Sequence, residues 1–253
     1  MNKELTNLIR KAAELMVKAK YLSAFTGAGI SVESGIPPFR GKNGLWTIYD
    51  PAYFEIDYFI KHPEESWKLL KKLFFETFEK AVPNEAHIIL AELERKKILK
   101  ALITQNIDNL HYLAGSKNIV EYHGNSRKLV CLSCGRSYPA EAKLLENLPP
   151  KCRCSGILKP DFVFFGEGIP IEAALEAERI TESSDVMLVV GTTGQVYPAA
   201  LIPQNAKRNG ATIIEVNQEP SDYSYGITDI FIKGRATEML EMIKMEIESI
   251  IKK

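Results

Sequence analysis

Four apolar runs do most to limit what this chain can fold into: YLSAFT at 21–26, ILKALIT at 98–104, SDVMLVVGT at 184–192 and GATIIEVN at 210–217. Each reads as a buried strand, because a continuous aliphatic and β-branched run suits a strand covered on both faces. Helical sequence stands between them. The spacing of apolar residues predicts a helix over Leu5 to Met16, before the first run. Asn84 is placed to cap a second helix, whose apolar face carries Ile88, Ile89, Leu90 and Leu93, and VYPAALIPQNAKRNG, ended by Gly210, links the last two runs. Strands alternating with helices predict an α/β fold, a Rossmann-like, mostly parallel sheet with helices on both faces.

Two regions break the alternation. Residues 45–80 are aromatic and helical in pattern with no strand, and residues 122–160 hold all four cysteines. The expected layout is a Rossmann-like domain of residues 1–44, 81–122 and 159–253. A helical module at 45–80 and a cysteine-bearing module at 123–158 form a smaller second domain inserted into it.

The cysteines come as CLSC at 131–134 and CRC at 152–154, close to paired C-x-x-C zinc spacing but one residue short in the second half. A disulfide pair or four unrelated thiols are the alternatives. A cytoplasmic location disfavours the first, and the clustering of every cysteine in one short stretch disfavours the second. Cys131, Cys134, Cys152 and Cys154 are therefore expected to hold one structural Zn²⁺. Four thiolates leave the metal no open position, so it should support the fold and not the chemistry.

Lys plus Arg and Asp plus Glu both number 32, which removes any general attraction to nucleic acid or to an anionic membrane. The N-terminal stretch alternates charged and apolar residues, unlike a signal peptide or anchor. The expectation is a cytoplasmic globular protein with no membrane contact and no direct nucleic-acid binding.

Three loops follow the strands, where open α/β sheets bind ligands. AFTGAGISVESGIPPFRG opens like a dinucleotide loop with Gly27 and Gly29, yet Val32 stands where a third glycine would fall, and Gly35, two prolines and an arginine extend it. ITQNIDNLH is dense in polar residues; by itself it reads as helix capping by Asn106 and Asp108. EYHGN sets His123 beside Gly124, and a lone histidine is more often structural than catalytic, the reading kept for His62, His87 and His111.

Taken together, TGAGIS…SGIPPFRG, TQNID, HG, the four-cysteine insert, PDFVFFGE, GTTGQVYPAA and VN resemble, in that order, the sirtuins, the NAD-dependent protein lysine deacylases. The resemblance runs from about Leu22 to Ala236 with little flanking it, as in a prokaryotic-type sirtuin. It implies NAD as co-substrate and an acyl-lysine protein or peptide as substrate. The products implied are nicotinamide, O-acyl-ADP-ribose and free lysine. Gly27, Ala28 and Gly29 would let backbone amides approach the pyrophosphate, as in other dinucleotide sites. Phe39 would shield the reacting face of the sugar and Arg40 would pair with phosphate. Gln105, Asn106, Ile107 and Asp108 would serve the nicotinamide ribose and carboxamide, with Asn106 and Asp108 also counted among the catalytic residues. Gly191, Thr192 and Thr193 would meet the cofactor, Asn217 and Glu219 the adenosine ribose, and Ala236 would lie near adenine. His123 matches the general base, and its ordinary pKa of about 6.5 suits proton transfer at cellular pH. The substrate backbone would pair with the segments carrying Gly166, Glu167, Val196 and Tyr197.

The departures are informative. Leu70 and Leu73 occupy the positions that carry Tyr and Arg in relatives acting on acidic acyl groups. The resemblance thus implies acetyl or longer neutral acyl groups, because two leucines cannot compensate a buried carboxylate. Pro38 replaces the usual Asp or Thr and stiffens its loop. A NAD-dependent protein ADP-ribosyltransferase shares much of such a site, and a non-catalytic nucleotide-sensing module is the reading from outside enzymology.

Overall fold

A computed structural model describes residues 3–39 and 44–252. In chain order its strands are β1 (Leu22–Thr26), β2 (Leu99–Thr104), β3 (Ile119–Glu121), β4 (Gly124–Cys131), β5 (Ser137–Pro139), β6 (Leu158–Phe162), β7 (Val186–Val190), β8 (Thr212–Asn217) and β9 (Ile230–Lys233). Its α-helices are α1 (Lys3–Lys18), α2 (Ile56–Lys61), α3 (Pro63–Leu70), α4 (Glu76–Phe78), α5 (Glu85–Arg95), α6 (Leu110–Leu113), α7 (Ile171–Ser183), α8 (Leu201–Arg208) and α9 (Ala236–Ile251).

The four apolar runs lie side by side in one parallel sheet of order β3-β2-β1-β7-β8-β9. All five residues of β1 and of β7 are buried, which is why neither alternates polar with apolar. Helices α1, α5 and α9 cover one face, bringing Ile9, Met16, Leu90 and Ile243 onto Leu22, Ala24 and Leu188. Helices α7 and α8 cover the other, with Ala177, Ile180 and Ile202 against Phe25, Ile103 and Val189. From β1 the chain moves outward to β3, then returns to the far side of β1 at β7 and moves outward again. That reversal opens a crevice beyond the carboxyl ends of β1 and β7, the usual ligand position in doubly wound sheets.

Local signals acted largely as their chemistry requires. The side-chain oxygen of Asn84 accepts from the backbone N–H groups of Ala86 and His87 at 3.0 and 3.4 Å, starting α5. The helix is rotated slightly from its expected face: His87 is fully buried and Ile88 only partly. Helix α8 begins later than its sequence segment suggests, because Val196 to Ala200 forms turns; Gly210 follows it with φ of 95°.

The two interruptions share one core. Strands β5, β4 and β6 form a small antiparallel sheet. Its inner face packs Leu129, Leu158, Phe162 and Phe164 against Phe54, Phe59, Trp67 and Phe74 of the helical stretch. Trp67 Nε1 donates to the backbone oxygen of Leu158 at 2.8 Å, tying the two pieces together. Strand β6 pairs with β4 through Phe162, so the small sheet extends past the boundary expected at residue 159. Among the described residues, no helix is long and apolar enough to cross a membrane.

Candidate active site

The loop after β1 and the loop after β7 cross at van der Waals limit. Gly27 N–H donates to Val190 O at 3.0 Å, and Gly29 N–H to Gly191 O at 2.8 Å. A Cβ on Gly29 would sit 2.7 Å from both the Cα and the carbonyl oxygen of Gly191. Gly191 has φ of 66°, and its own Cβ would overlap Ile30 N. The sequence pattern suggests glycines cleared for a ligand; the structure shows that they also clear a path for each other. Beyond Gly27 the chain turns through a 3-10 helix, Ala28–Ser34, that ends at Gly35 with φ of 87°.

The end of β2 supplies the polar centre. Gln105 Nε2 donates to Thr192 Oγ1 at 3.1 Å, bridging two of the loops. Asn106 Nδ2 donates to Gly27 O and to Ser31 Oγ, both at 3.1 Å, and Ser31 Oγ donates to Asp108 Oδ2 at 2.7 Å. Leu110 N–H donates to the other carboxylate oxygen at 2.9 Å, so Asp108 does hold the turn into α6 while keeping its place in the site. Asp108 is only 5% exposed, and burial pushes its carboxyl above the ordinary range. Ser31 is the residue that sequence reasoning passed over; a lone hydroxyl between Ile30 and Val32 in AGISVES gives no distinct signal. Behind it lie His87 and His111, their rings 4.8 Å apart and edge to face. Burial lowers His87 to about 4, and burial together with the neighbouring His87 lowers His111 well below the ordinary value, so both rings are neutral.

His123 arrives from the end of β3. Its Nδ1 lies 3.1 Å from Gln105 O, and since a carbonyl only accepts, Nδ1 carries the proton and Nε2 is the basic nitrogen. Burial lowers its pKa, the Gln105 bond opposing in part. The segment is braced on both sides of the ring. Arg127 Nη1 and Nη2 fork onto Glu121 at 2.7 and 2.8 Å, Nη1 also donates to Asn109 Oδ1 at 3.0 Å, and the guanidinium covers the Tyr112 ring. Gly124 has φ of 70°, and a Cβ there would strike Asp161 O.

The remaining cofactor candidates divide. Asn217 Nδ2 donates to Thr192 O at 2.7 Å, joining the ends of β8 and β7. Thr192 is buried, whereas Thr193 is exposed and its backbone oxygen accepts from Asp222 N–H. Glu219 is paired with Lys233 at 2.9 Å on the surface. Ala236 is the buried first residue of α9, next to Thr237, whose N–H and hydroxyl both donate to Glu33 on the 3-10 helix. Phe39, Ala28, Asn106, Ile107 and Asp108 line one cleft, closed on the far side by Leu73 and Phe74. Leu70 is fully buried in the small-domain core. Arg40 lies outside the described residues.

Of the substrate candidates, Tyr197 is exposed and Val196 partly so. Gly166 takes φ of 86° in a tight turn. The Glu167 carboxylate points inward, accepting from Phe164 N–H at 2.8 Å and from Lys159 Nζ at 3.0 Å. Phe164 is buried, and Phe165 is 40% exposed.

The sulfur atoms of Cys131, Cys134, Cys152 and Cys154 all lie within 4.8 Å of one another, with close pairs at 3.5 to 3.6 Å. Zn–S bonds of about 2.3 Å in a tetrahedron place sulfurs about 3.8 Å apart, so the four thiols fit zinc as they stand. The same spacing is far beyond an S–S bond.

Comparison with known proteins gives one answer. Residues 27–198 match the model of the Sir2 family. A protein of Sulfurisphaera tokodaii named NAD-dependent protein deacetylase is 43% identical over 243 residues, covering 94% of this chain and 96% of that one. A NAD-dependent protein deacylase of Pyrococcus furiosus is 44% identical over 252 residues, covering 97% and 100%. Among solved structures, a Sir2 homologue in complex with NAD superimposes with a TM-score of 0.87 at 41% identity, covering 94% of each chain. A Sir2 variant with a deacetylated p53 peptide and 3′-O-acetyl ADP-ribose gives 0.89 at 36%, covering 94% of this chain and 98% of that one.

Proposed function

The chain belongs to the Sir2 family, and from that premise we propose that it removes acetyl and other neutral acyl groups from protein lysine side chains with NAD as co-substrate. The products are free lysine, nicotinamide and O-acyl-ADP-ribose. When bound, NAD supplies the electrophilic ribose carbon and the group that accepts the acyl. The chain's own residues do the rest. Ala28 and the Thr192 to Thr193 loop border the crevice that receives the dinucleotide, while the Gly27 and Gly29 N–H groups are committed to Val190 O and Gly191 O. Asp108 accepts a carboxamide N–H, and its orientation is set by Ser31 and Leu110. Gln105 and Asn106 hold the ribose side and order water there. His123 takes a hydroxyl proton at Nε2, its other nitrogen being committed to Gln105. The observation that carries this reading is that one short loop, Gln105 to Asp108, both fixes the tautomer of the base and presents the carboxamide partner.

Zinc enters only as support. Held by the four cysteines, it ties β4 to the turn before β6, and Cys131 and Cys152 belong to the small-domain core. The unjoined thiols suit a reducing compartment, and we place the protein in the cytoplasm. Its partner is an acyl-lysine protein segment lying between the two sheets. Leu73 beside the cleft, with Leu70 behind it, favours acetyl or longer neutral acyl groups over succinyl.

Incubation of the protein with an acetyl-lysine peptide, with and without NAD, followed by mass spectrometry, tests the reading. Acetyl loss only with NAD, with nicotinamide and acetyl-ADP-ribose in equal amounts, is the expected result. Protein carrying ADP-ribose with no acetyl loss would establish the transferase instead.

A further inference from the structure

Arg127, on β4, has no part in the proposed chemistry, yet its guanidinium gathers three parts of the chain. Nη1 and Nη2 fork onto the carboxylate of Glu121, the last residue of β3, at 2.7 and 2.8 Å. Nη1 also donates at 3.0 Å to Oδ1 of Asn109, in the loop after β2. The guanidinium carbon stands 4.7 Å from the centre of the Tyr112 ring, on α6. A planar fork can meet a carboxylate with two bonds and still offer an edge and a face to other groups, which a compact ammonium cannot. The side chains of Arg127 and Glu121 are 33% and 20% exposed, so salt screens this pair less than one on the open surface.

The chain between these two partners carries His123. Glu121 stands just before it and Arg127 just after, so the fork closes residues 121–127 into a ring. Asn125 bridges that ring: its Nδ2 donates to Glu121 Oε2 at 2.8 Å, and its Oδ1 accepts from Arg127 N–H at 2.9 Å. Asn109 ties the ring to the other half of the site. It follows Asp108 directly and takes φ of 68°, a left-handed conformation uncommon outside glycine. Its Nδ2 donates to Ser126 Oγ at 2.7 Å while its Oδ1 accepts from Arg127, and Ser126 N–H donates to Ile107 O at 3.2 Å. Residues 125–127 are thus laced to residues 107–109. His123 and Asp108 come from the ends of different strands, and Arg127 bonds to both segments at once.

We propose that Arg127 is a positioning residue for the reaction: by joining Glu121 to Asn109 it fixes the His123 ring relative to Asp108. The inference rests on the deacylase reading. The bond from Nδ1 to Gln105 O decides which ring nitrogen is basic, and the Arg127 links decide where that nitrogen stands. A base displaced by about 1 Å can lose up to about a hundredfold in rate. Because the crevice loops are held by bonds of their own, from Gly27, Gly29 and Gln105, the loss falls on the chemical step and not on the hold on NAD.

The test uses the zinc-loaded full-length enzyme with Arg127→Met, Arg127→Lys, Glu121→Gln and the R127M/E121Q pair. In R127M the single-turnover rate of deacetylation of an acetyl-lysine peptide falls at least about tenfold, the change that ~1.4 kcal/mol on the barrier gives. The Kd for NAD and the KM for the peptide stay within about threefold. Side-chain ¹⁵N spectra supply a second readout, with the His123 signal assigned by its loss in His123→Ala. In the wild type its two nitrogens resonate far apart, as one tautomer requires, and in R127M they draw together as the ring leaves Gln105. R127K keeps the charge and loses the fork, so its rate falls between the two. If Arg127 and Glu121 act as one link, the double variant is no worse than R127M.

An unchanged rate in folded R127M would overturn the proposal, as would a loss of NAD affinity equal to the loss of rate. So would a fall in rate with the His123 signal unmoved, full activity in R127K, or multiplied effects in the double variant. Should R127M lose its zinc or its cooperative melt, E121Q carries the test, since a neutral isostere weakens the same fork. A fall of at least about threefold is expected there, and an unaltered rate overturns the inference. Failure of the wild-type enzyme to deacylate any peptide would be a separate result, against the deacylase reading itself.

Discussion

The Nδ1 of His123 donates to the backbone oxygen of Gln105 across 3.1 Å, so the proposed base and the Gln105–Asp108 loop share one hydrogen bond. A ring held this way is active only when neutral, and burial lowers its pKa below the usual value of about 6.5. As pH falls, kcat/KM for the acetyl peptide is expected to hold until below about pH 6.5 and then drop as Nε2 is protonated. An acid limb centred above that value would contradict the assignment. His123→Ala should lose a factor of about 10² to 10⁴ in turnover with NAD affinity unchanged.

Gly29 and Gly35 make a controlled pair, because only one of them is enclosed. A methyl at Gly29 meets Gly191 backbone at 2.7 Å, whereas at Gly35 it meets nothing within 4 Å. Gly29→Ala must force the two strand-end loops apart, with a loss of about 1 to 3 kcal/mol and a large drop in NAD affinity. Gly35→Ala carries only the left-handed backbone penalty of about 1 kcal/mol. Calorimetric melting and NAD titration of both variants check the contrast, and equal behaviour would count against the crossing as the reason for glycine.

One zinc per chain is expected by elemental analysis. Removing it by a chelator should expose the core shared by Leu129, Leu158, Trp67 and Phe74, read as a loss of near-ultraviolet aromatic signal and of peptide binding. The parallel sheet has its own two cores and should keep its helical far-ultraviolet signal. Full peptide affinity in metal-free protein would refute the structural role.

His87 and His111 make the fold sensitive to acid. Both are neutral in the folded protein, so between pH about 6.5 and 4 the unfolded chain binds more protons than the folded one. Their contribution is complete above about pH 6.5 and is lost as pH falls, at about 1.4 kcal/mol per pH unit for each ring. Urea unfolding between about pH 6.5 and 5 should show that slope, and His87→Gln should roughly halve it. A stability independent of pH over that window would mean that the rings are protonated in place.

Local chemistry made much of this legible. Buried runs marked β1, β2, β7 and β8 because both faces of a parallel sheet are covered, and Asn84 marked the start of α5 because a cap acts over three residues. The four cysteines announced their site by spacing alone. What escaped depends on parts of the chain that meet only after folding. Nothing in GAG says that its glycines face Gly191, more than 160 positions on, and nothing in PDFVFFGE says that Glu167 turns inward to Lys159. Arg127 reads as one more basic residue until Glu121, Asn109 and Tyr112 surround it. Gln105, Asn106, Asp108, Thr192 and Asn217 come together at the strand ends, while Glu219 stays on the surface with Lys233; the residues that hold the first group in place are the ones that the sequence hides.

The strand order also bears on how quickly the chain can find this structure. Strand β1 stands at the middle of the sheet, yet Thr26 pairs with Thr104 on one side and with Val190 on the other. Neither neighbour is local: both inserted pieces interrupt the route, so the central pairing waits on the closure of long loops. The small antiparallel sheet, by contrast, joins β4 to β5 within a few residues. Chains dominated by distant pairings fold slowly. The β4–β5 hairpin should therefore form early, whereas the core that bonds Trp67 to Leu158 and the crevice between β1 and β7 both wait on distant closure.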